Sequence, residues 1–289
     1  MRRADLTQEQ KQNVAKEFNL SEIVFLHLPV PGASFKNVEI DIFTSQAEVP
    51  FAVGCGDDND LGQLLIFQGH PTVGSSHYLL NALKEDTEVI NTKAGPIPIS
   101  RDPKTGGVRA LIPQTFHIHK ATFDSPLTPK AAEVTSIVKG MSFIFCPLPD
   151  LEILAKAAEN LNVRKYGVTA TYDPRDLDEG WQVGLVGTMY YVAQGIDEFG
   201  RKMYRTRMWG SREDPGTGSA SSALGCYLAG QEPADLGAGP FQYALTQGVE
   251  MGRTNDISVE VTRGKDGLGI EEVLLSGAAV SVMEGVVEI

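Results

Sequence analysis

The stretch that decides the fold is EDPGTGSASSALG, residues 213–225. An acid and a proline precede two closely spaced glycines, and the small and apolar residues that follow are typical of a buried helix. A glycine-rich turn that enters a helix leaves the backbone N–H groups of its first turn open, and these groups favour a bound anion. The plain alternative is a helix capped by Asp214 or Thr217, since such caps are common.

A second stretch, GHPTVGSSHYLLNAL from Gly69, resembles the first when the chain is shifted by about half of its 289 residues. The shift places like residues together at four positions: Pro71 on Pro215, Gly74 on Gly218, Ser75 on Ser219 and Leu80 on Leu224. The chain is therefore predicted to be two copies of one unit, in which short strands surround one buried helix. Both helix N-termini are expected to face the cleft between the halves, where a carboxylate binds.

The rest of the chain shows mostly short strands with Gly or Pro between them. A capping box at TQEQ predicts a helix over about residues 7–18, and SEIVFLHLPV and NVEIDIFT predict two strands. The two prolines in FDSPLTPKAAE, residues 123–133, make this segment the best candidate for a linker. The predicted domains are therefore 1–122 and 123–289.

The composition is that of an ordinary globular protein, and the net charge of −12 argues against nucleic acid or an anionic membrane surface as a partner. Three cysteines, Cys55, Cys146 and Cys226, lie far apart and are interpreted as reduced thiols. The polar N-terminal segment and the lack of long apolar runs predict neither a signal peptide nor a membrane span. A cytoplasmic location is expected.

Other anion-binding and catalytic motifs fit poorly. No lysine follows Gly218 as a P-loop requires, and the third glycine of a dinucleotide motif is replaced by Ser221. A hydrolase is disfavoured because no G-x-S-x-G turn with a partner histidine occurs. His117 and His119 share one strand face, but no further ligand is apparent nearby, and the acidic run 57–60 fits a calcium loop only loosely. No metal site is expected.

Several segments occur in the order found in the phenazine-biosynthesis PhzF-like family. They are FNLSEIVFLHLP, GHPTVGSSHYLL, FDSPLTP, YRTRMWGSREDPGTGSASSALGCYLA and QGVEMGRTNDISVEV. The resemblance implies an α/β (α+β) fold like that of diaminopimelate epimerase. This fold has two pseudo-symmetric halves, each a rolled, mostly antiparallel sheet around a central helix. The duplication within the chain points to the same fold independently.

The resemblance also implies cofactor-free isomerase chemistry. The thiol pair of the epimerases is excluded, because the two helix starts carry Gly69-His70 and Glu213-Asp214. The family's acid/base is the glutamate of NLSE, here Glu22, and a carboxylate needs burial to take a C–H proton. The alternative for Glu22 is a solvated residue at the start of a strand.

The other site residues follow from the same resemblance. His70 and Asp214 are expected to hold polar substituents of the substrate and to relay the proton, the alternative being that each caps a helix. Five further residues are expected to bind the substrate carboxylate: Gly69, Ser75, Thr217, Gly218 and Ser219. Arg253 is interpreted equally well as structural or as lining the cleft.

The sequence departs from the family pattern in two places. The family normally opens with a further strand, so a first strand is expected to be missing and a sheet edge unpaired. In addition, residues 53–68 interrupt the run PFAGHPTVG. This segment is interpreted either as a translated intron or as a loop with its own role.

Taken together, the residues and the resemblance predict a cofactor-independent isomerase that acts on a small carboxylate-bearing metabolite. The expected assembly is a homodimer. The alternative is a catalytically inactive protein of the same family that binds ligands or partners.

Overall fold

The structure, a computed structural model, describes residues 6–49, 69–93, 95–265, 267 and 269–286. The described chain divides by its internal contacts into two compact units. The first holds the described residues before Ile112 and those from Ser276 onward, and the second runs from Ile112 to Leu275. The predicted halves, 1–122 and 123–289, have a different boundary and stay a prediction. The predicted insertion at 53–68 lies outside the described residues.

Within its described residues, the first unit contains a five-stranded sheet and two α-helices. Its strands, in sheet order, are β1 (Ile23–His27), β2 (Asn37–Phe43), β3 (Val89–Thr92), β4 (Gly95–Arg101) and β5 (Val108–Leu111). Strands β2 and β3 are parallel, and the other neighbours are antiparallel. Helix α1 (Gln8–Phe18) precedes β1, and helix α2 (Gly69–His77), which a π-helical turn continues, contacts β1 and β5.

Helix α1 confirms the predicted capping box. The hydroxyl of Thr7 accepts from the N–H of Gln10, whose side chain accepts in return from the N–H of Thr7. The helix is fixed to strand β2 by Lys11, which pairs with Asp41, and His27 contacts the same carboxylate at 2.8 Å. Burial alone would raise the pKa of Asp41, but the hydrogen bonds from Lys11 and His27 outweigh it and lower the pKa.

The described residues of the second unit form a larger sheet and three α-helices, besides short 3-10 helical turns. Its strands are β6 (His117–Ser125), β7 (Thr128–Val138), β8 (Met141–Pro147), β9 (Leu185–Ile196), β10 (Lys202–Trp209), β11 (Glu213–Asp214), β12 (Phe241–Gln247), β13 (Asn255–Arg263) and β14 (Ile270–Gly277). The sheet order is β14-β13-β12-β10-β9-β8-β7-β6, with β11 paired to β10. The helices are α3 (Leu151–Leu154), α4 (Leu161–Tyr166) and α5 (Gly218–Gly230).

The two units repeat one topology, as the sequence predicted. In the first unit, β1 pairs antiparallel with β2, helix α2 lies between β2 and its parallel neighbour β3, and β4 then pairs antiparallel. In the second unit, β9, β10, α5, β12 and β13 follow the same order with the same strand directions. The duplication read from the two glycine-rich stretches is therefore present in the strand pairing.

The prediction that residues 123–133 form a linker is wrong. This segment forms the turn of a β-hairpin, in which Phe123 pairs with Ala132 and Ser125 pairs with Thr128. Pro126 lies in the turn and Pro129 lies near the start of β7, positions where the absence of a backbone N–H is tolerated. The two prolines thus mark a tight turn within one sheet.

Helix α5 forms the centre of the second unit. All of its residues except the last are buried, and it contacts β7, β8, β12 and β13. Strand β8 is buried on both faces: the ring of Phe145 lies 5.4 Å from that of Tyr227 on α5, whereas Ile144 and Cys146 pack in a cluster with Leu154. A strand covered on both faces has a continuous apolar sequence, which explains the run MSFIFCP.

Gly225 allows helix α5 to lie close to strand β13. A Cβ atom at this position would lie 2.6 Å from Val259 Cγ1, on a fully buried strand residue that cannot move aside. We expect Gly225→Ala to lower the free energy of unfolding by about 1–3 kcal/mol, because overpacking outweighs the gain in helix propensity. Gly230→Ala on the same helix meets no atom within 4 Å and is the control in urea unfolding. Equal stability of the two variants would contradict the packing argument.

Strand β1 is an edge strand within the described part of the chain, where it pairs only with β2. Consecutive residues of β1 line a cavity of about 250 Å³. Because side chains alternate between the faces of a strand, a cavity that the consecutive residues Val24 to His27 line must run along the strand edge. The other lining residues are Leu28, which follows β1, Lys11 of α1, Leu6 before it, and Tyr78 of the π-helical turn. None of the described helices is long and apolar enough to cross a membrane.

Candidate active site

The first unit brings Glu22 and His70 together, although 47 residues lie between them in the sequence. Glu22 directly precedes β1, and His70 lies in the first turn of α2, which contacts β1. His70 Nε2 lies 2.8 Å from Glu22 Oε2. The Glu22 side chain is 12% exposed and that of His70 is 48% exposed. A mostly buried carboxylate beside a half-exposed imidazole is an arrangement that can hold and release a proton.

Helix α2 begins at Gly69, in agreement with the helix start that the sequence predicted at Gly69-His70. The run GHPTVG lies within the helix, and Gly74, which the sequence shift aligns with Gly218, is in its interior. Pro71 is compatible with this because N–H groups of a first turn need no partner within the helix. Gly69 therefore contributes a first-turn N–H group. Ser75 lies further along and is buried, so its predicted contact with substrate stays a prediction.

The turn before α5 is organised by the carboxylate of Asp214. One carboxylate oxygen accepts from the N–H of Gly216 at 3.1 Å, and the other accepts from the hydroxyl of Thr217 at 2.6 Å. Thr217 occupies the position before the helix, yet its hydroxyl is directed to Asp214 and no described side chain caps the helix. The capped-helix alternative is therefore wrong. The first turn, with Gly218 and Ser219, keeps its N–H groups free of a side-chain cap.

Two polar residues that the sequence did not single out support this turn. Gln247 is fully buried; its amide N–H₂ donates to Asp214 O at 2.7 Å, and its oxygen accepts from Thr217 N at 3.2 Å. Asn255 donates to the carbonyl oxygens of Pro215 and Arg253, each at 2.8 Å. Arg253 is exposed, and its backbone closes a turn by donating to Gly248. The run QGVEMGRTND, where a strand ends in a glycine-rich turn, was the available signal.

Arg207 holds the strand that ends in Asp214. Its guanidinium donates to both carboxylate oxygens of Glu213, at 2.6 and 2.8 Å, and to the carbonyl oxygens of Leu154 and Ala155. The Arg207 side chain is 9% exposed and that of Glu213 is 13% exposed. A bidentate pair of this kind fixes the orientation of both groups. By holding Glu213, this pair fixes the backbone position of the residue that directly precedes Asp214.

The two cysteines within the described residues are free and buried, as the sequence predicted for reduced thiols. Burial raises the pKa of both the Cys146 and the Cys226 thiols. Because a thiolate is the reactive form of cysteine, neither of these two residues is suited to proton exchange near neutral pH.

A second polar cluster lies in the second unit, around His117 and His119. The expectation that no third ligand lies nearby is wrong, because Asp178 folds onto strand β6 from a distant loop. Asp178 Oδ2 lies 2.9 Å from His117 Nε2, and burial, assisted by the charge of His117, lowers the pKa of His119 to about 4. Sequence spacing could not reveal this, since Asp178 is 59 residues beyond His119.

The repeated topology and the polar residues at the helix starts identify the fold class of this protein. Two units of one topology, each built on a buried helix with polar side chains at its start, make up the diaminopimelate-epimerase-like fold that the sequence predicted. Solved structures agree. A PhzF-family phenazine biosynthesis protein of Bacillus anthracis has a TM-score of 0.68 at 21% identity, with 98% of this chain and 90% of the other covered. A predicted epimerase of Pseudomonas aeruginosa has a TM-score of 0.58 at 20% identity, with 96% and 87% covered.

The chain belongs to the phenazine biosynthesis-like (PhzC-PhzF) protein family, whose model matches residues 62–285. An uncharacterized isomerase of Mesorhizobium japonicum is 28% identical, with 95% of this chain and 87% of the relative covered. The trans-2,3-dihydro-3-hydroxyanthranilate isomerase of Pseudomonas aeruginosa is 26% identical, with the same coverage of both chains. The relatives thus place the chain in a family of isomerases.

Proposed function

We propose that this protein is a cofactor-independent isomerase that moves a proton between two carbon atoms of a small carboxylate-bearing metabolite. The observation that carries the proposal is the contact of Glu22 with His70 at 2.8 Å, with the carboxylate mostly buried. Both residues were predicted from the sequence to act in catalysis. Relatives over nearly the whole chain are named isomerases.

In the proposed reaction, Glu22 accepts the proton from one carbon, and the electron pair of the broken C–H bond passes into the π system of the substrate. Glu22 then returns the proton to a second carbon, so substrate and product have the same formula. No oxidant, reductant or further reactant is consumed. His70 orients the carboxylate and stabilises its charge between the two proton transfers.

The substrate carboxylate is proposed to bind at the start of α5. The N–H groups of Gly218 and Ser219 lie in its first turn, where the helix dipole favours an anion. Thr217 contributes its hydroxyl, which Asp214 holds in place. Gly69, in the first turn of α2, is proposed to donate in the same way. The N–H groups at such a helix start offset the net negative charge of the protein locally.

The function is tested with trans-2,3-dihydro-3-hydroxyanthranilate, the compound named for two relatives. The protein is incubated with this compound in D₂O, and NMR follows both isomerisation and the entry of deuterium at carbon. Isomerisation supports the proposal. Binding without isomerisation or exchange would favour the inactive ligand-binding alternative for this compound. Other carboxylate metabolites with an acidic C–H bond are then screened by the same exchange measurement.

Asp214 offers a test of the turn before α5. We expect Asp214→Asn to lower kcat/KM by about 10–100-fold, because the amide cannot accept hydrogen bonds with both of its polar atoms and Thr217 loses its orientation. The control is Asp235→Asn, which changes an exposed carboxylate in a surface turn. Values of kcat/KM within twofold of wild type for Asp214→Asn would remove this residue from the proposed site.

A further inference from the structure

The cluster of His117, His119 and Asp178 lies on strand β6 and the loop that follows residues 168–172. The two imidazoles project from the same strand face, with their rings 4.7 Å apart. One atom from each of the three side chains lies within 4.8 Å of the others. Trp181 covers the cluster, with its ring stacked on that of His117 at 4.7 Å and 9°.

The hydrogen bonds around His119 fix which ring nitrogen carries the lone pair. Asp178 N donates to His119 Nδ1 at 3.2 Å, so this nitrogen is unprotonated. His119 Nε2 lies 2.8 Å from the hydroxyl of Ser136, which therefore accepts its proton, and Ser136 contacts Ser142 at 2.6 Å. An imidazole whose second nitrogen donates to a neighbour is the usual form of a metal-ligating histidine.

His117 and Asp178 provide the other two donor atoms. His117 Nε2 and Asp178 Oδ2 lie 2.9 Å apart and share a hydrogen bond. A bound ion would replace the proton of this bond. Lys120 N donates to the second carboxylate oxygen at 3.3 Å, which orients the carboxylate. The side chains of His117 and Asp178 are 33% and 23% exposed, so an ion can reach the cluster from solvent.

We propose that His117, His119 and Asp178 bind a divalent transition-metal ion, with Zn²⁺ as the best match. Two imidazoles and one carboxylate form a ligand set that zinc accepts, and water completes the coordination. Ligand atoms on a tetrahedral ion lie about 3.3 Å apart. The three donor atoms, which lie within 4.8 Å of one another, therefore adjust their separations when the ion binds. When the ion binds His119 Nδ1, the backbone N–H of Asp178 loses this acceptor and donates to another group. The bound ion fastens this loop to strand β6.

The proposal is tested by titrating the metal-free full chain with Zn²⁺, using calorimetry and tryptophan fluorescence. The chain has two tryptophans, so Trp209→Phe leaves Trp181 as the reporter beside the cluster. We expect a single equivalent to bind, with a change in Trp181 fluorescence and a higher Tm. Co²⁺ is expected to give the absorption of a tetrahedral site with mixed nitrogen and oxygen ligands.

Asp178→Asn is the decisive variant, because it removes a ligand from a partly exposed loop without changing side-chain size. We expect it to weaken Zn²⁺ binding by at least about tenfold. Asp176→Asn is the matched control, since Asp176 contacts Lys165 and Tyr166 outside the cluster. His117→Gln gives an independent test on strand β6. No Zn²⁺ binding by the wild-type chain, or equal binding by both aspartate variants, would overturn the proposal.

Discussion

Glu22→Gln is expected to lower kcat by about 10²–10⁴-fold, because glutamine has no basic oxygen that can take a proton from carbon. The side chains have nearly the same size, and Glu22 lies before β1 rather than within its hydrogen-bonded ladder. The fold should therefore persist, and KM should change little. Deuterium exchange into the substrate should fall in parallel with turnover, since in the proposed reaction the same group removes and returns the proton.

The control for this variant is Glu17→Gln, which changes an exposed glutamate near the end of α1. Circular dichroism and Tm verify that both variants are folded. His70→Gln is expected to cause a smaller loss than Glu22→Gln, because His70 acts through the carboxylate that it contacts. Exchange by folded Glu22→Gln at close to the wild-type rate would show that another group is the base, and the proposed mechanism would then be wrong.

Arg207→Ala is expected to lower the free energy of unfolding by about 3–5 kcal/mol, because it leaves the carboxylate of Glu213 largely buried without its partner. The same substitution removes donors from the carbonyl oxygens of Leu154 and Ala155. For a domain of this size the loss corresponds to a decrease in Tm of roughly 10 °C. Thermal and urea unfolding measure it.

Arg164→Ala provides the comparison with a surface pair. Arg164 contacts Glu159 at 2.6 Å, but the side chains are 51% and 39% exposed, so the expected loss is only about 0–1 kcal/mol. Arg207→Lys keeps the positive charge without the bidentate geometry and should lie between the two alanine variants. A loss for Arg207→Ala no larger than that for Arg164→Ala would show that burial does not govern the strength of this pair.

The sequence predicted those parts of the fold that depend on local patterns. The capping box at Thr7 and the apolar run of α5 were sufficient to locate two helices, because caps and periodicity act over a few residues. The repeat of the two glycine-rich stretches predicted the duplicated topology. The sequence around Pro126 led to the wrong prediction of a linker, because proline is common both in linkers and in tight hairpin turns.

The candidate site was predicted only where a motif identified it. The resemblance singled out Glu22 and His70, and the fold brings them into contact. Gln247 and Asp178 were missed, because their partners come from distant segments and the pairing depends on how the sheet is assembled. A polar residue at the end of a strand has the same local sequence whether it faces water or a buried turn. Tertiary contacts decide between these outcomes.

In the proposed mechanism, the edge position of strand β1 separates the stability of this protein from its activity. Among the described strands β1 hydrogen-bonds only to β2, whereas β8, β9, β10 and β12 each have neighbours on both sides. Local opening of an edge strand breaks few backbone bonds and exposes little buried surface, so it occurs far more often than global unfolding. We therefore expect fluctuations of β1 to displace Glu22, which precedes it, without a change that calorimetry detects. If Glu22 is the base as proposed, a preparation with unchanged melting behaviour can differ widely in specific activity, because the activity then depends on the integrity of this single strand.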